Sequence, residues 1–122
     1  MRILLILLAL VAAPAWAEWV AMGETADIVA YIDPATIKKD GNLRRIWQLH
    51  ELKQRDKDGT MSKRALVEYD CKEERQKVLS LSSHSEPWVG GKVLGSGSIT
   101  SEWQYIAPNT TAAAILKIVC AK

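Results

Sequence analysis

The chain has 122 residues, with 16 Lys and Arg against 14 Asp and Glu and a formal net charge of +2 at pH 7. So even a balance predicts neither nucleic-acid binding nor a wholly acidic partner. The length allows one modest core, and two cysteines allow a single disulfide pairing.

The first residues, "MRILLILLALVAAPAWAEWV", begin with Arg2, continue in an apolar run from Ile3 to Ala13, and break at Pro14. Ala15-Trp16-Ala17 then presents small residues where a signal peptidase reads them, which predicts a signal peptide at 1–17 cut before Glu18. The apolar run of 11 residues falls short of the ~20 that span a bilayer. A single domain at 18–122 is therefore expected, with no transmembrane span after cleavage. No cysteine follows the apolar run, so a lipoprotein anchor is not expected. The expected compartment is the periplasm, with the cell surface or secretion as alternatives. In such oxidising surroundings Cys71 and Cys120 are expected to pair. No C-x-x-C is present, so a structural bridge is favoured over a redox pair; closing so long a loop is worth about 4 kcal/mol in the loop-entropy model.

Along the mature chain, "DIVAYID" at 27–33 reads as a strand buried on both faces. Pro34 and Asp40-Gly41 mark turns. "LRRIWQLHELKQ" at 43–54 fits either a strand, with Leu43, Trp47 and Leu49 on one face, or a helix; the flanking glycines favour a strand. A hairpin loop then leads to a returning strand at 63–71, in which Val67, Tyr69 and Cys71 point to one side. A turn is expected at Cys71–Glu74 and another strand at 75–83. "EPWVGGKVLGSGS" holds four of the seven glycines and is predicted as a long mobile loop. "ITSEWQYIA" at 99–107 reads as a strand. After Pro108 the period changes: Asn109 or Thr110 can cap a helix whose Ala112, Ile115, Leu116, Val119 and Cys120 share one side. The fold class is therefore α+β: a single antiparallel sheet of four to six strands, meander-like, with a C-terminal helix packed on it and tied by the disulfide.

Chemistry-bearing patterns are sparse, and no enzyme is expected. His84 sits in "SSHSE" without a nucleophile turn, and reads as solvated surface. His50 and His84 lack metal-ligand spacing, so no metal site is expected. "NTT" at 109–111 matches a glycosylation sequon, which a helix cap explains equally well. Charge is more informative. Residues 38–64 carry nine basic side chains against four acidic ones. Lys38, Lys39, Arg44, Arg45, Lys53, Arg55 and Lys57 are the candidate binding residues, expected to gather at one end of the domain if 43–54 and 63–71 form a hairpin. Such an end suits a partner protein's acidic segment or an anionic glycan. A solvated, edge-protecting hairpin is the competing reading. Trp88 in the glycine-rich stretch is a further candidate, either anchoring a partner or folding back as a lid.

The residues also carry a family resemblance. Trp19, "YIDPATI" at 31–37, Gly41, Trp47, "EYDC" at 68–71, "KEERQK" at 72–77, Trp103 with Ile106-Ala107-Pro108, and Cys120 follow in an order that resembles the surface-adhesin protein E family of Gram-negative bacteria. The resemblance spans residues 19–121 and implies a curved antiparallel sheet with a disulfide-bonded C-terminal helix. It implies adhesion as the activity, with host-matrix and plasma proteins such as vitronectin and laminin as partners, and haem as a ligand described in the family. The family's founding member is a lipoprotein. Without a cysteine to lipidate, this chain is expected to be a soluble version. The alternative to a binding module is a soluble periplasmic envelope protein with a structural or stress-related role and no host ligand.

Overall fold

Alternating side chains and closely spaced turns build the molecule. The computed structural model describes residues 18–121; the signal expected at 1–17, and Lys122, lie outside the described residues. Eight strands follow in order: β1 (Val20–Glu24), β2 (Ile28–Ile32), β3 (Lys38–Asp40), β4 (Leu43–Leu52), β5 (Ser62–Asp70), β6 (Arg75–Glu86), β7 (Gly90–Ser98) and β8 (Gln104–Tyr105). One helix, α1 (Thr111–Cys120), closes the chain. The strands form one antiparallel sheet in the order β1-β2-β4-β5-β6-β7; β3 pairs with the start of β4 and β8 with the start of β6. The path is a meander, as expected, but with more strands than the four to six read from the sequence. The additions are β1, the three-residue β3 and β7.

Turn chemistry sets the hairpins. Gly41, at φ +56°, supplies the left-handed residue between β3 and β4. Asp70 Oδ1 accepts the amides of Lys72 and Glu73, fixing the turn between β5 and β6 where Cys71 sits. The register between β5 and β6 slips at Leu66/Val67, and that between β6 and β7 slips on both sides of His84. Such bulges bend and twist a sheet. Here the sheet curls into a half-barrel around the helix.

The core lies in the concavity. Ile32, Ile46, Val67 and Tyr69 from the sheet meet Ile115, Leu116 and Val119 from α1. Burying each large apolar side chain is worth about 1.5–3 kcal/mol. The helix stripe is the one that its period indicates. Thr110 caps it by accepting the Ala113 amide at 3.1 Å, and α1 lies against β1 and β4. Gly23 on β1 makes that approach possible, since a Cβ there would stand 2.2 Å from Thr111 Oγ1. At the helix's other end Cys120 is bonded to Cys71, with Cα atoms 5.8 Å apart.

Three expectations are corrected. The segment 86–98 is not a mobile loop: β6 runs on to Glu86, residues 87–89 form a tight turn, and β7 returns along β6. Its glycines are tolerated because β7 takes its order from the backbone ladder on β6, and Gly91 at φ +71° serves the turn. The strand expected at 99–107 shrinks to Gln104–Tyr105, because Ile99 and Ser101 donate their amides to Leu79 and Val78 across the bulge instead of continuing a regular ladder. His84 is not solvated surface but buried, its ring bonded to Ser82 Oγ.

Candidate functional site

Cross-strand partners share a face of the sheet, so the register sorts the candidate residues into two surfaces. The convex face, opposite the helix, carries a row Lys38–Arg45–Glu68–Lys77 across β3 to β6. Beside it runs Asp40–Leu43–Asp70–Arg75, and further along come Trp47–Leu66–Ser80, Leu49–Arg64–Ser82 and Glu51–Ser62–His84. The concave face carries Lys39, Arg44, Tyr69 and Gln76 in one row and His50 and Lys63 in another.

The candidate cations therefore do not gather at one end. Lys38, Lys39, Arg44 and Arg45 lie where β4 starts, while Lys53, Arg55 and Lys57 follow its last residue. The ten residues of β4 hold the groups about 30 Å apart at ~3.3 Å per residue. Several are engaged already. Arg45 binds the buried Glu68 carboxylate at 2.8 Å, a bond that holds its guanidinium above the ordinary arginine pKa. Lys53 pairs with Glu24, and Arg55 reaches Glu86 and the carbonyls of Gly59 and Ser85. Arg44 donates to the carbonyls of Gly41 and Leu43. Among the described residues, Lys38, Lys39 and Lys57 make no ion pair.

The convex face combines charge with aromatic surface. Arg64 stacks on Trp47, its guanidinium carbon 4.6 Å from the ring centre. Arg75 and Lys77 both cap Trp103, each at 4.5 Å. Glu68 and Asp70, buried between them, anchor Lys77 and Arg75 at 3.6 and 3.0 Å. Burial acts to raise the Asp70 pKa, but the Glu73 amide, the Arg75 guanidinium and the Lys72 amide outweigh it and hold the carboxyl low. Sequence reading missed Arg75, Lys77, Trp47 and Trp103 as a group. Their signal is the alternation of "KEERQK" against "EYDC", which becomes legible once the β5–β6 register is known.

At the far end of the same face a polar cluster is buried under the turn at 87–89. Glu51 Oε1 accepts the Trp88 amide at 2.7 Å, while Ser62 Oγ accepts the Val89 amide at 3.1 Å and donates to the Glu86 carbonyl. Trp88 packs its ring edge-on against Tyr31 at 5.0 Å and stays 54% exposed. It is thus partly a lid and partly an open aromatic surface. His84 Nε2 bonds Ser82 Oγ at 2.8 Å. Burial, with Arg64 nearby, lowers the His84 pKa, and burial raises that of Glu51 against the opposing Trp88 amide bond.

The concave face holds a cavity of about 320 Å³ between α1 and the middle of the sheet. His50 borders it, while His84 is buried on the opposite face. Haem does not fit this arrangement: the cavity is at the small end of the range for small-molecule sites, and the two imidazoles share no slot. Among the described residues, no group of three His, Cys, Asp or Glu could hold a metal ion, and no helix is long and apolar enough to cross a membrane.

Comparison with known proteins agrees with this geometry. Protein E of Haemophilus influenzae, in its selenomethionine form, superposes with a TM-score of 0.70 at 16% identity, over 87% of this chain and 88% of that one. A second crystal form of that protein gives 0.64 at 17%, over 86% and 97%. Protein E from non-typeable Haemophilus influenzae gives 0.59 at 16%, over 89% and 79%. A search of curated proteins returns no match. The family model described as surface-adhesin protein E matches residues 19–121, so the chain belongs to the surface-adhesin protein E family.

Proposed function

We propose that this chain is an exported, non-enzymatic binding module that engages an anionic surface, on a partner protein or a glycan, through its convex face. The observation that carries the reading is the clustering there of Lys38, Arg45, Arg64, Arg75 and Lys77 around Trp47 and Trp103, on the side of the sheet the helix leaves uncovered. Arginine and tryptophan are the residues that most often dominate binding energy at interfaces. The buried Glu68 and Asp70 hold three of these cations in place, so less side-chain entropy is lost on binding. Family membership supports an adhesin-like role. The disulfide supports an oxidising compartment, and the periplasm is the compartment we assign.

Immobilised heparin provides an anionic probe. The double variant Lys38→Glu/Arg64→Gln is expected to elute at clearly lower salt than the wild-type protein. Lys53→Gln/Lys57→Gln, at the far end of β4, is expected to elute with the wild type. Equal elution of all three proteins, or equal losses in both variants, would contradict the assignment of the face.

A further inference from the structure

We propose that the concave cavity is a binding site for a medium-chain aliphatic carboxylate, its chain among the apolar side chains beneath α1 and its carboxylate at Lys63 and His50. The site lies on the opposite side of the sheet from the proposed partner surface and does not depend on it.

Small residues create the space. Ala30 on β2, Ala65 on β5 and Ala112 on α1 all line it, although Ala65 has large aliphatic neighbours on its face in Val67 and Leu81. Together with Val67, Val78 and Ile115 they give the cavity an aliphatic wall. Its 320 Å³ matches a chain of about ten carbons, taking each methylene as close to one water's share of volume, about 30 Å³. Within its polar lining, the Tyr69 hydroxyl donates to Gln48 Oε1, so these two groups satisfy each other. The lining is predominantly apolar and favours an apolar occupant.

The rim has the opposite character. Lys63 stands directly across from His50 in the β4–β5 register, and both border the cavity. Among the described residues, Lys63 makes no ion pair. Burial and the neighbouring Lys63 charge lower the His50 pKa, which keeps the ring neutral and able to donate one N–H at neutral pH. An ammonium and a neutral imidazole side by side recognise a single negative charge. Lys77 also borders the cavity, but Glu68 holds its ammonium at 3.6 Å. Lys63 is therefore the cation without an ion pair, and its charge above an aliphatic pocket matches a carboxylate with an alkyl tail better than a neutral lipid or a short anion.

The test is calorimetric titration of the full mature protein with sodium dodecanoate below its micelle concentration. Saturable binding is expected, with no measurable binding of dodecanol or butyrate. Lys63→Met, which keeps the aliphatic stem, is expected to weaken dodecanoate about tenfold, the loss of one charge-assisted contact, without lowering the melting temperature. Ala112→Leu, which fills the cavity from the helix side, is expected to abolish binding; should it not fold, Lys63→Met decides alone. Equal binding of dodecanol, an unchanged affinity in Lys63→Met, binding of haemin but not dodecanoate, or no binding of dodecanoate would each overturn the proposal.

Discussion

Trp88 and Val89 adopt left-handed backbone torsions, φ 57° and 64°, that residues with side chains disfavour. Their amides are met by Glu51 and Ser62 from neighbouring strands, and these bonds offset a strain of order 1–3 kcal/mol per residue. Glu51→Ala should therefore cost about 1–3 kcal/mol, read by chemical denaturation, and should raise the mobility of Trp88 in fluorescence anisotropy. A stable variant with an unmoved Trp88 would show that the turn holds itself. His84 gives a pH signature. Its native pKa is lowered by burial and by Arg64, so the unfolded chain takes up a proton near pH 6.5 while the native state does not. Stability contributed by the neutral ring is thus present above about pH 6.5 and is lost as pH falls below it. His50 acts in the same direction. Glu51, with a raised pKa, acts in the opposite direction at lower pH. The melting temperature should drop between pH 7.5 and 5.5, and by less in His84→Gln. An equal drop in both proteins would remove His84 from the account.

At the scale of elements, α1 is held at both ends. At its N-terminus Thr111 rests on Gly23, and Thr110 caps the first turn. Thr110→Ala should cost about 1 kcal/mol, the usual loss for an N-cap. Gly23→Ala should cost more, because its Cβ would overlap Thr111 and displace the helix from β1. Thermal denaturation of the two variants gives the order directly, and the reverse order would argue against the close approach. The helix, β2, β4, β5 and the turn at Cys71–Glu74 were legible in the sequence because each depends on local period and turn residues. β7 was not, because its glycines announce a loop, and only the hydrogen-bond ladder offered by β6 makes them a strand. His84 was misjudged for a related reason: serines flank it in sequence, but the fold buries it against Ser82 and near Arg64. The candidate cations were found individually. Their division between the two ends of β4, and between two faces, follows from register, which no single segment reveals.

For the whole molecule, a curled sheet with one covered and one open face explains the division of labour proposed here. The disulfide clamps the helix into the concavity and closes a loop of separation 49, worth about 4 kcal/mol in the loop-entropy model. Replacing both cysteines by serine should lower the unfolding free energy by about that amount, measured with denaturant. It should leave convex-face binding nearly unchanged at temperatures where the variant stays folded. The most direct measurement is amide chemical-shift mapping of the oxidised protein during titration with a heparin-derived oligosaccharide. Shifts are expected to concentrate at Lys38, Arg45, Arg64, Arg75, Lys77 and the Trp47 and Trp103 indoles. Shifts centred instead on β7, on Lys53 and Lys57, or on the helix side of the sheet would contradict the convex-face assignment.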